Sequence, residues 1–252
     1  MQAPSGIKAT SGNLKIFYRK TGKPGGLPVL IVHGLSYTSA DWVEVAEKLG
    51  AQREVICMDM RGFGESDWSP TQDYSVPSMA QDIVAVLDHA GWKRAVLAGH
   101  SMGGRSATWA AGKNPARAAG LVLIDYSPEN APAGTRRTAE RVVNNPERFR
   151  RDPFFKEQFR KMLETGERPK PGVDMWAAIG EVRCPILSLR GARSDMYAPE
   201  TKDKMTAANP RLQVVEVDAG HNIAGDNQAD FLLQLNSFMQ NFEKQSHEHS
   251  RS

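Results

Sequence analysis

The chain has 252 residues, of which 40% are hydrophobic and 24% are charged, and its formal net charge is +3. These values are typical of a globular protein with one large domain or two small ones and a sizeable core. The weak net charge argues against nucleic acid as a partner. No apolar run approaches the roughly 18 residues of a membrane span, so we expect no membrane partner either.

The first residues lack a basic start followed by an apolar block, so we expect no secretory signal. Cys57 and Cys184 lie far apart in the sequence, each in or beside an apolar run. This placement predicts two buried, reduced thiols in preference to a disulfide. Together these observations predict a cytoplasmic location. Nothing in the composition indicates a metal site or a bound cofactor, and the oligomeric state is left open.

The predicted elements begin with a hairpin at the edge of a sheet, in KATSGNLKIFYRKTG. Six short apolar runs without a polar face follow, as expected for strands buried on both sides: PVLIVHG (28–34), EVICMDM (54–60), AVLAGHS (95–101), GLVLIDY (120–126), PILSLRG (185–191) and LQVVEVD (212–218). Amphipathic helical patterns lie between or after them: SADWVEVAEKLG, with Ser39 as its cap, SMAQDIVAVLDHAG and ADFLLQLNSFMQNF. This alternation predicts an α/β fold with a mostly parallel sheet and helices on both faces.

The segment 127–182 interrupts this alternation, because it contains helical patterns and prolines but no strand run. An insertion of this length indicates a functional lid, so we predict a helical cap at 127–182, inserted after the sixth strand of a core formed by 1–126 and 183–245. Residues 128–170 hold 11 Lys and Arg against 7 Asp and Glu. This surplus indicates either a solvated helix face or attraction of an anionic substrate. The polar tail at 246–252 is predicted to be disordered.

Ser101 lies where a predicted strand meets a predicted helix, at the centre of Gly99-His100-Ser101-Met102-Gly103. A side chain at either glycine would collide with the adjoining strand or helix if the turn were sharp, and such a turn exposes the serine hydroxyl. The backbone N–H of Met102 would then lie at a helix N-terminus, where an anion is favoured. The pattern therefore predicts Ser101 as a nucleophile and the Met102 amide as an oxyanion donor. Gly34 allows a turn that would bring the Leu35 amide in as the second donor.

A serine nucleophile needs a base, and His221 follows the last apolar run on a predicted loop. The base in turn needs a carboxylate to orient it. Asp195 and Asp125 both follow strand runs, and we favour Asp195 because it lies on the later loop, with Asp125 as the alternative. We expect His33 and His100, both at strand ends, to brace the turns.

Taken together, these motifs resemble the α/β-hydrolase superfamily over essentially the whole chain. The resemblance rests on His33-Gly34, DMRGFGESD (59–67), GHSMGG (99–104), RGARSD (190–195) and GHN (220–222). It implies a Ser101–His221–Asp195 triad, an oxyanion hole formed by the Leu35 and Met102 amides, and a helical cap. Dehalogenase and epoxide-hydrolase relatives carry aspartate where this chain has Ser101, which argues against those two reactions.

Candidate substrate-binding residues are Arg105, Tyr126 and Trp176, which flank the motifs, although each could instead pack or form an ion pair within the protein. Arg105 lies one helical turn after Ser101, and its guanidinium suits a carboxylate. The spelling GHSMGGR is similar to that of cyclohexadiene-carboxylate synthases of menaquinone synthesis and of some ring-cleavage-product hydrolases, whose substrates are carboxylates.

The sequence therefore predicts a cofactor-free serine hydrolase that cleaves a small carboxylic ester, thioester or lactone, possibly one bearing a carboxylate, through an acyl-enzyme on Ser101. Two alternatives stay open. The same groups could cleave an amide or a carbon–carbon bond, or the fold could serve as a small-ligand receptor without turnover.

Overall fold

A computed structural model describes residues 6–129, 131–145, 148–167 and 172–249, with the backbone alone for 242–249. Its strands are β1 (Gly6–Ser11), β2 (Leu14–Thr21), β3 (Val29–Val32), β4 (Val55–Met58), β5 (Ala95–His100), β6 (Ala118–Ile124), β7 (Ile186–Gly191) and β8 (Leu212–Val217). Its helices are α1 (Val43–Gly50), α2 (Val76–His89), α3 (Met102–Lys113), α4 (Pro132–Asn144), α5 (Pro153–Thr165), α6 (Met175–Glu181), α7 (Thr201–Ala208), α8 (Ile223–Asp226) and α9 (Gln228–His249).

The eight strands form one sheet in the order β1-β2-β4-β3-β5-β6-β7-β8. Strands β1 and β2 form the predicted hairpin, whose turn includes Gly12 with φ +56°, and β2 also pairs antiparallel with β4. All other pairs are parallel. Helices α2 and α3 cover one face and α1 and α9 cover the other, so the predicted α/β-hydrolase fold is confirmed.

The core forms two layers because successive side chains of a strand point to opposite faces. On β3, Leu30 and Val32 pack in the layer that contains Ile83 of α2, whereas Val29 and Ile31 pack in the layer that contains Phe231 of α9. The expectation that all six apolar runs are buried on both sides is wrong for β8. This strand lies at the sheet edge, and its Gln213 and Glu216 are exposed.

The region between β6 and β7 is helical, and its described residues contain α4, α5 and α6 but no strand. One isolated bridge pairs Arg151 with Phe63 of the core. Helices α4 and α5 pack against each other, whereas α6 packs against α3. The extent of this insertion as a separate cap, 127–182, stays a prediction.

Two further expectations concern helix ends. Thr38, and not Ser39, precedes the short 3-10 helix Ser39–Trp42 that leads into α1, and the Thr38 amide donates to Asp41 at 2.8 Å. Helix α9 continues to His249, so residues 246–249, which we expected to be disordered, are helical. Residues 250–252 lie outside the described part.

Within the part that the structure describes, no helix is both long enough and apolar enough to cross a membrane.

Candidate active site

Ser101 occupies a strained turn between β5 and α3. Its backbone has φ 51° and ψ −115°, a conformation that residues other than glycine rarely adopt. A Cβ on Gly99 would lie 2.5 Å from the carbonyl oxygen of Gly103, and a Cβ on Gly103 would lie 2.4 Å from that of Val32. Both glycines are therefore required sterically, as the sequence predicted. The serine amide still donates to the Ile124 carbonyl of β6 at 3.0 Å, and the serine carbonyl accepts from the Gly104 amide of α3 at 2.9 Å.

The loop after β3 lies directly beside this turn. A Cβ on Gly34 would come within 2.7 Å of His100 Nδ1 and 3.2 Å of Ser101 Cβ. The absence of a side chain thus lets the following residue, Leu35, approach the serine. Among the described residues, neither the Leu35 nor the Met102 amide donates a hydrogen bond to the protein. Met102 is the first residue of α3, whose N-terminal amides have no partner within the helix.

His221 follows β8 and hydrogen-bonds a carboxylate at the end of β6. Its Nδ1 lies 2.6 Å from Oδ2 of Asp125. Because an ionised carboxylate only accepts, this bond places the proton on Nδ1 and leaves Nε2 as the basic nitrogen. The Asp125 side chain is 0% exposed and that of His221 is 15% exposed. The pair is thus largely shielded from water, with the imidazole as its more accessible member.

Asp125, and not Asp195, is the partner of His221, so the structure corrects the preferred assignment in favour of the alternative. The Asp195 carboxylate pairs with Arg137 of α4 at 2.5 Å, and its side chain is 38% exposed. Chain order could not separate the two, since both aspartates lie between Ser101 and His221. The loop that carries Asp195 turns towards the insertion. The carbonyl oxygen of Asp195 would lie 2.4 Å from a Cβ on Gly134 of α4.

Asp125 is held by two further donors that sequence inspection did not identify. The Gly191 amide donates to Oδ1 at 2.9 Å, and the Ser194 hydroxyl donates to Oδ2 at 2.5 Å. Ser194 Oγ itself accepts from the Met196 amide at 3.1 Å, which directs its proton to the carboxylate. These bonds satisfy both oxygens of a fully buried carboxyl group. The signal was present in RGARSD, where Ser194 precedes the more conspicuous aspartate.

His33 and His100 brace loops around the site. His33 Nε2 accepts from the Met60 amide at 3.0 Å, so its Nδ1 carries the proton and donates to the Gly34 carbonyl at 2.8 Å. His100 Nε2 lies 2.9 Å from the carbonyl oxygen of His221, and the rings of these two histidines have centroids 4.8 Å apart. The residue before Ser101 therefore holds the loop that carries His221.

Burial lowers the pKa of both bracing histidines. For His100 the pKa falls well below its usual value, first because the ring is buried and second because His221 lies beside it. For His33 burial outweighs the opposite effect of Asp59. Both rings are therefore neutral at pH 7, consistent with a structural function.

A cavity of about 520 Å³ opens above Ser101. Leu35, Met102 and Arg105 border it. Its wall also includes apolar and aromatic residues, namely Tyr74, Val76, Met79, Phe154, Phe155, Phe159 and Met196, and polar ones, namely Gln72, Asp73, Ser75, Ser106, Thr135, Thr138 and Gln158. Three of these aromatic residues come from α5, so the insertion forms part of the cavity. The spacing of the phenylalanines in PFFKEQF was the sequence signal for this wall, and we had not assigned it.

The three candidate substrate-binding residues are placed differently. Arg105 borders the cavity, and its Nε is buried without a hydrogen-bond partner among the described residues. Tyr126 is not part of the cavity wall. It is 2% exposed, packs against Gly104, and has a pKa raised by burial and partly lowered by Arg105. Trp176 lies on α6, packs against the core and is not among the described residues that border the cavity.

Known proteins share this architecture. The family model described as the alpha/beta hydrolase fold matches residues 28–170. A 3-hydroxybutyrate-oligomer hydrolase of Cupriavidus necator is 27% identical over 84% of this chain and 88% of its own length. A thermophilic esterase of Thermogutta terrifontis, solved with malate bound, superposes with a TM-score of 0.72 at 28% identity, over 94% of this chain and 98% of its own.

One further relative matches only in part. The dihydrolipoyllysine-residue acetyltransferase component of an acetoin cleaving system of Pseudomonas putida is 37% identical over 49% of this chain, which spans 33% of that protein. Among the described residues no group of three or more His, Cys, Asp or Glu side chains could hold a metal ion. The family match over more than half of the chain, together with the sheet order and the structural relatives, shows that this chain belongs to the α/β hydrolase fold family.

Proposed function

We propose that this hydrolase cleaves a small carboxylic ester, thioester or lactone through an acyl-enzyme on Ser101. The observation that carries the proposal is the pairing of His221 with the buried Asp125, together with a serine that is held in a strained turn and borders a cavity. A binding protein needs no such pairing, which disfavours the receptor alternative. An imidazole oriented in this way is a general base for a neutral hydroxyl.

In the proposed reaction, Ser101 Oγ attacks the substrate carbonyl carbon while His221 Nε2 accepts the hydroxyl proton. The tetrahedral intermediate collapses when its bond to the leaving oxygen or sulfur breaks and His221 returns the proton to that atom. Water, deprotonated by His221, then attacks the acyl-serine, which releases the acid and regenerates the serine hydroxyl. Each step uses only groups of the protein and water.

Asp125 and the two free amides stabilise the charges that form in these steps. The Asp125 carboxylate accepts from Nδ1, which fixes the tautomer and stabilises the imidazolium. The Leu35 and Met102 amides are the proposed donors to the negative oxygen of the intermediate. Loss of one such donor typically lowers the rate about a hundred- to a thousandfold.

The cavity supports a carboxylate-bearing substrate. Arg105 forms no ion pair with a carboxylate among the described residues, and the one acid in the same cavity wall, Asp73, faces Arg61 instead. A guanidinium can bind a carboxylate through two parallel hydrogen bonds, and it does so more strongly where water is excluded. We therefore include Arg105 as a substrate-binding residue. The malate bound to the Thermogutta esterase supports an acidic ligand for this fold.

The insertion acts as a lid in this proposal, because α4 and α5 supply much of the cavity wall. The enzyme would act in the cytoplasm, which the two buried free thiols support. The remaining alternatives, an amide and a carbon–carbon bond, differ in the leaving group and not in the catalytic residues.

The test is a substrate panel of short nitrophenyl esters, thioesters, lactones, simple amides and vinylogous diketones, assayed with the wild-type chain and with Ser101→Ala. We expect turnover of esters, thioesters or lactones, its loss in the variant, and a covalent acyl adduct on the peptide that contains Ser101 by mass spectrometry. Turnover of amides or diketones alone would replace the proposed bond. Undiminished ester turnover by Ser101→Ala would exclude the mechanism.

A further inference from the structure

A second, smaller cavity of about 230 Å³ lies against the loop that supplies the proposed oxyanion donor. Ser36 and Tyr37, which directly follow Leu35, form one side. The other side comes from the insertion: Arg141, Val142, Asn145, Arg148, Phe149 and Arg151. Three arginines and no acidic residue are found among the described residues that border it. This cavity shares no described lining residue with the one above Ser101.

The three guanidiniums are in different states. Arg148 pairs with Asp41, and Arg151 Nη1 donates to the Leu35 carbonyl at 3.4 Å. Arg141 donates to the neutral hydroxyl of Ser36 at 2.8 Å and has no carboxylate partner among the described residues. Its positive charge is thus uncompensated by the described part of the chain, and its remaining donors are available to a ligand.

The charge of Arg141 reaches the catalytic region. The ring of Tyr37 contacts that of His100 edge-on, at 5.0 Å between centroids, and His100 holds the loop of His221. Burial is the main cause that raises the pKa of Tyr37, and Arg141 opposes it. Arg141 also contributes to the low pKa of His100. An anion in the second cavity would therefore lie beside Tyr37, whose ring contacts that of His100.

We propose that this second cavity is an anion subsite in which Arg141, assisted by Arg148, binds one carboxylate-sized group. The paired N–H donors of an arginine guanidinium match the planar geometry of a carboxylate and also bind phosphate. Two sources share this chemistry: a second acidic group of the substrate, remote from the bond that is cleaved, or a free anion that acts on the enzyme. Either source explains why a helix of the insertion presents an uncompensated cation to the oxyanion loop.

Binding is tested without turnover, so that the result does not depend on the proposed hydrolysis. Succinate, acetate and inorganic phosphate are titrated calorimetrically into the full chain carrying Ser101→Ala. We expect saturable binding of at least one anion, weakened about tenfold or more by Arg141→Gln, since hydrogen bonds to charged groups contribute about 1.5–3 kcal/mol. Arg141→Lys, which keeps the positive charge but loses the paired guanidinium donors, should bind the anion with intermediate affinity.

The matched control is Arg136→Gln. Arg136 lies on the same helix, is exposed like Arg141, and pairs with Glu140 one turn away. This variant loses the same charge and should bind the anion as the parent does. Binding must also persist in Arg105→Gln, since that residue borders the other cavity. Absence of saturable binding, or equal weakening by Arg141→Gln and Arg136→Gln, overturns the subsite.

The source is then identified by kinetics, and this step rests on the proposed function. If the substrate supplies the anion, Arg141→Gln raises KM for a monoester of a tricarboxylic acid, which keeps two free carboxylates, and leaves KM for a succinate monoester, which keeps one, unchanged. If a free anion is the ligand, succinate changes the rate on a neutral ester without competing with it, and Arg141→Gln abolishes the change. Each result supports the subsite. If the anion that binds has no kinetic effect in either experiment, the connection between the subsite and catalysis is refuted.

Discussion

His221 Nδ1 lies 2.6 Å from Oδ2 of Asp125, a carboxylate at the end of the strand that neighbours the strand of Ser101. The bond joins two residues 96 positions apart in the sequence. It brings together the ends of β6 and β8, which are separated in the sheet by β7. The expected catalytic consequences of this pairing can be tested residue by residue.

Asp125→Asn should lower kcat by roughly four orders of magnitude, because an amide can favour the wrong tautomer of the base. Asp195→Asn removes only an exposed ion pair, which contributes about 0–1 kcal/mol, and should leave kcat nearly unchanged. Steady-state kinetics of both variants on one ester decides between them. A large loss in Asp195→Asn with an active Asp125→Asn would reverse the assignment.

Ser194→Ala should lower kcat about ten- to a hundredfold with little change in KM, since a hydrogen bond to a charged carboxylate contributes about 1.5–3 kcal/mol. The hydroxyl does not touch the substrate and acts by positioning Asp125. Ser194→Thr, which keeps the hydroxyl, should restore most of the rate. If alanine and threonine behave alike, the hydroxyl has no such function.

Arg105→Gln should raise KM for a carboxylate-bearing ester about ten- to a hundredfold, because a charged hydrogen bond to the substrate is lost. A neutral ester of the same size serves as the control, and its KM should change little. Equal effects on the two esters would show that Arg105 supports the fold and not the substrate.

Gly99→Ala should destabilise the chain by at least about 1–3 kcal/mol, since the new Cβ would lie 2.5 Å from backbone atoms that cannot move aside. Gly180→Ala is the matched control. Its Cβ would meet its nearest neighbour, the Ala208 carbonyl oxygen, at 3.6 Å, and Gly180 lies inside α6, where alanine is the better helix former. Urea denaturation should therefore show a lower midpoint for the first variant alone.

Stability should fall as the pH is lowered from 7. The pKa of His100 is well below its value of about 6.5 in the unfolded chain, so below that pH the unfolded state binds more protons. This histidine then favours unfolding by up to about 1.4 kcal/mol per pH unit until its own folded-state pKa is reached. His33 acts in the same direction. His100→Gln should flatten the dependence of the unfolding free energy on pH between 6.5 and 5, about the range set by the unfolded pKa. An unchanged slope would contradict the assignment of the neutral ring.

Local residue patterns were sufficient for most of the architecture. Apolar runs too short for helices marked the strands, and apolar spacings of three and four marked α2 and α9. The edge position of β8 was not predicted because the central Val214 and Val215 make the segment resemble a buried strand, although Gln213 and Glu216 on either side of them are exposed. Burial at an edge depends on which elements lie beside the strand, and the strand's own residues carry little information about that.

The two glycines that flank Ser101 were enough to predict a sharp strand–helix turn, and in the folded chain a Cβ at position 99 or 103 would indeed collide with backbone atoms. Only the folded chain shows which carboxylate meets His221 and which side chains border the cavity. At the end of a strand, the direction of a side chain depends on the loop backbone and on the neighbouring strands. Asp125, with φ 44°, faces the histidine, whereas Asp195, on a loop packed against α4, faces Arg137. Those directions follow from the packing of segments far apart in the chain, which no local pattern of residues encodes.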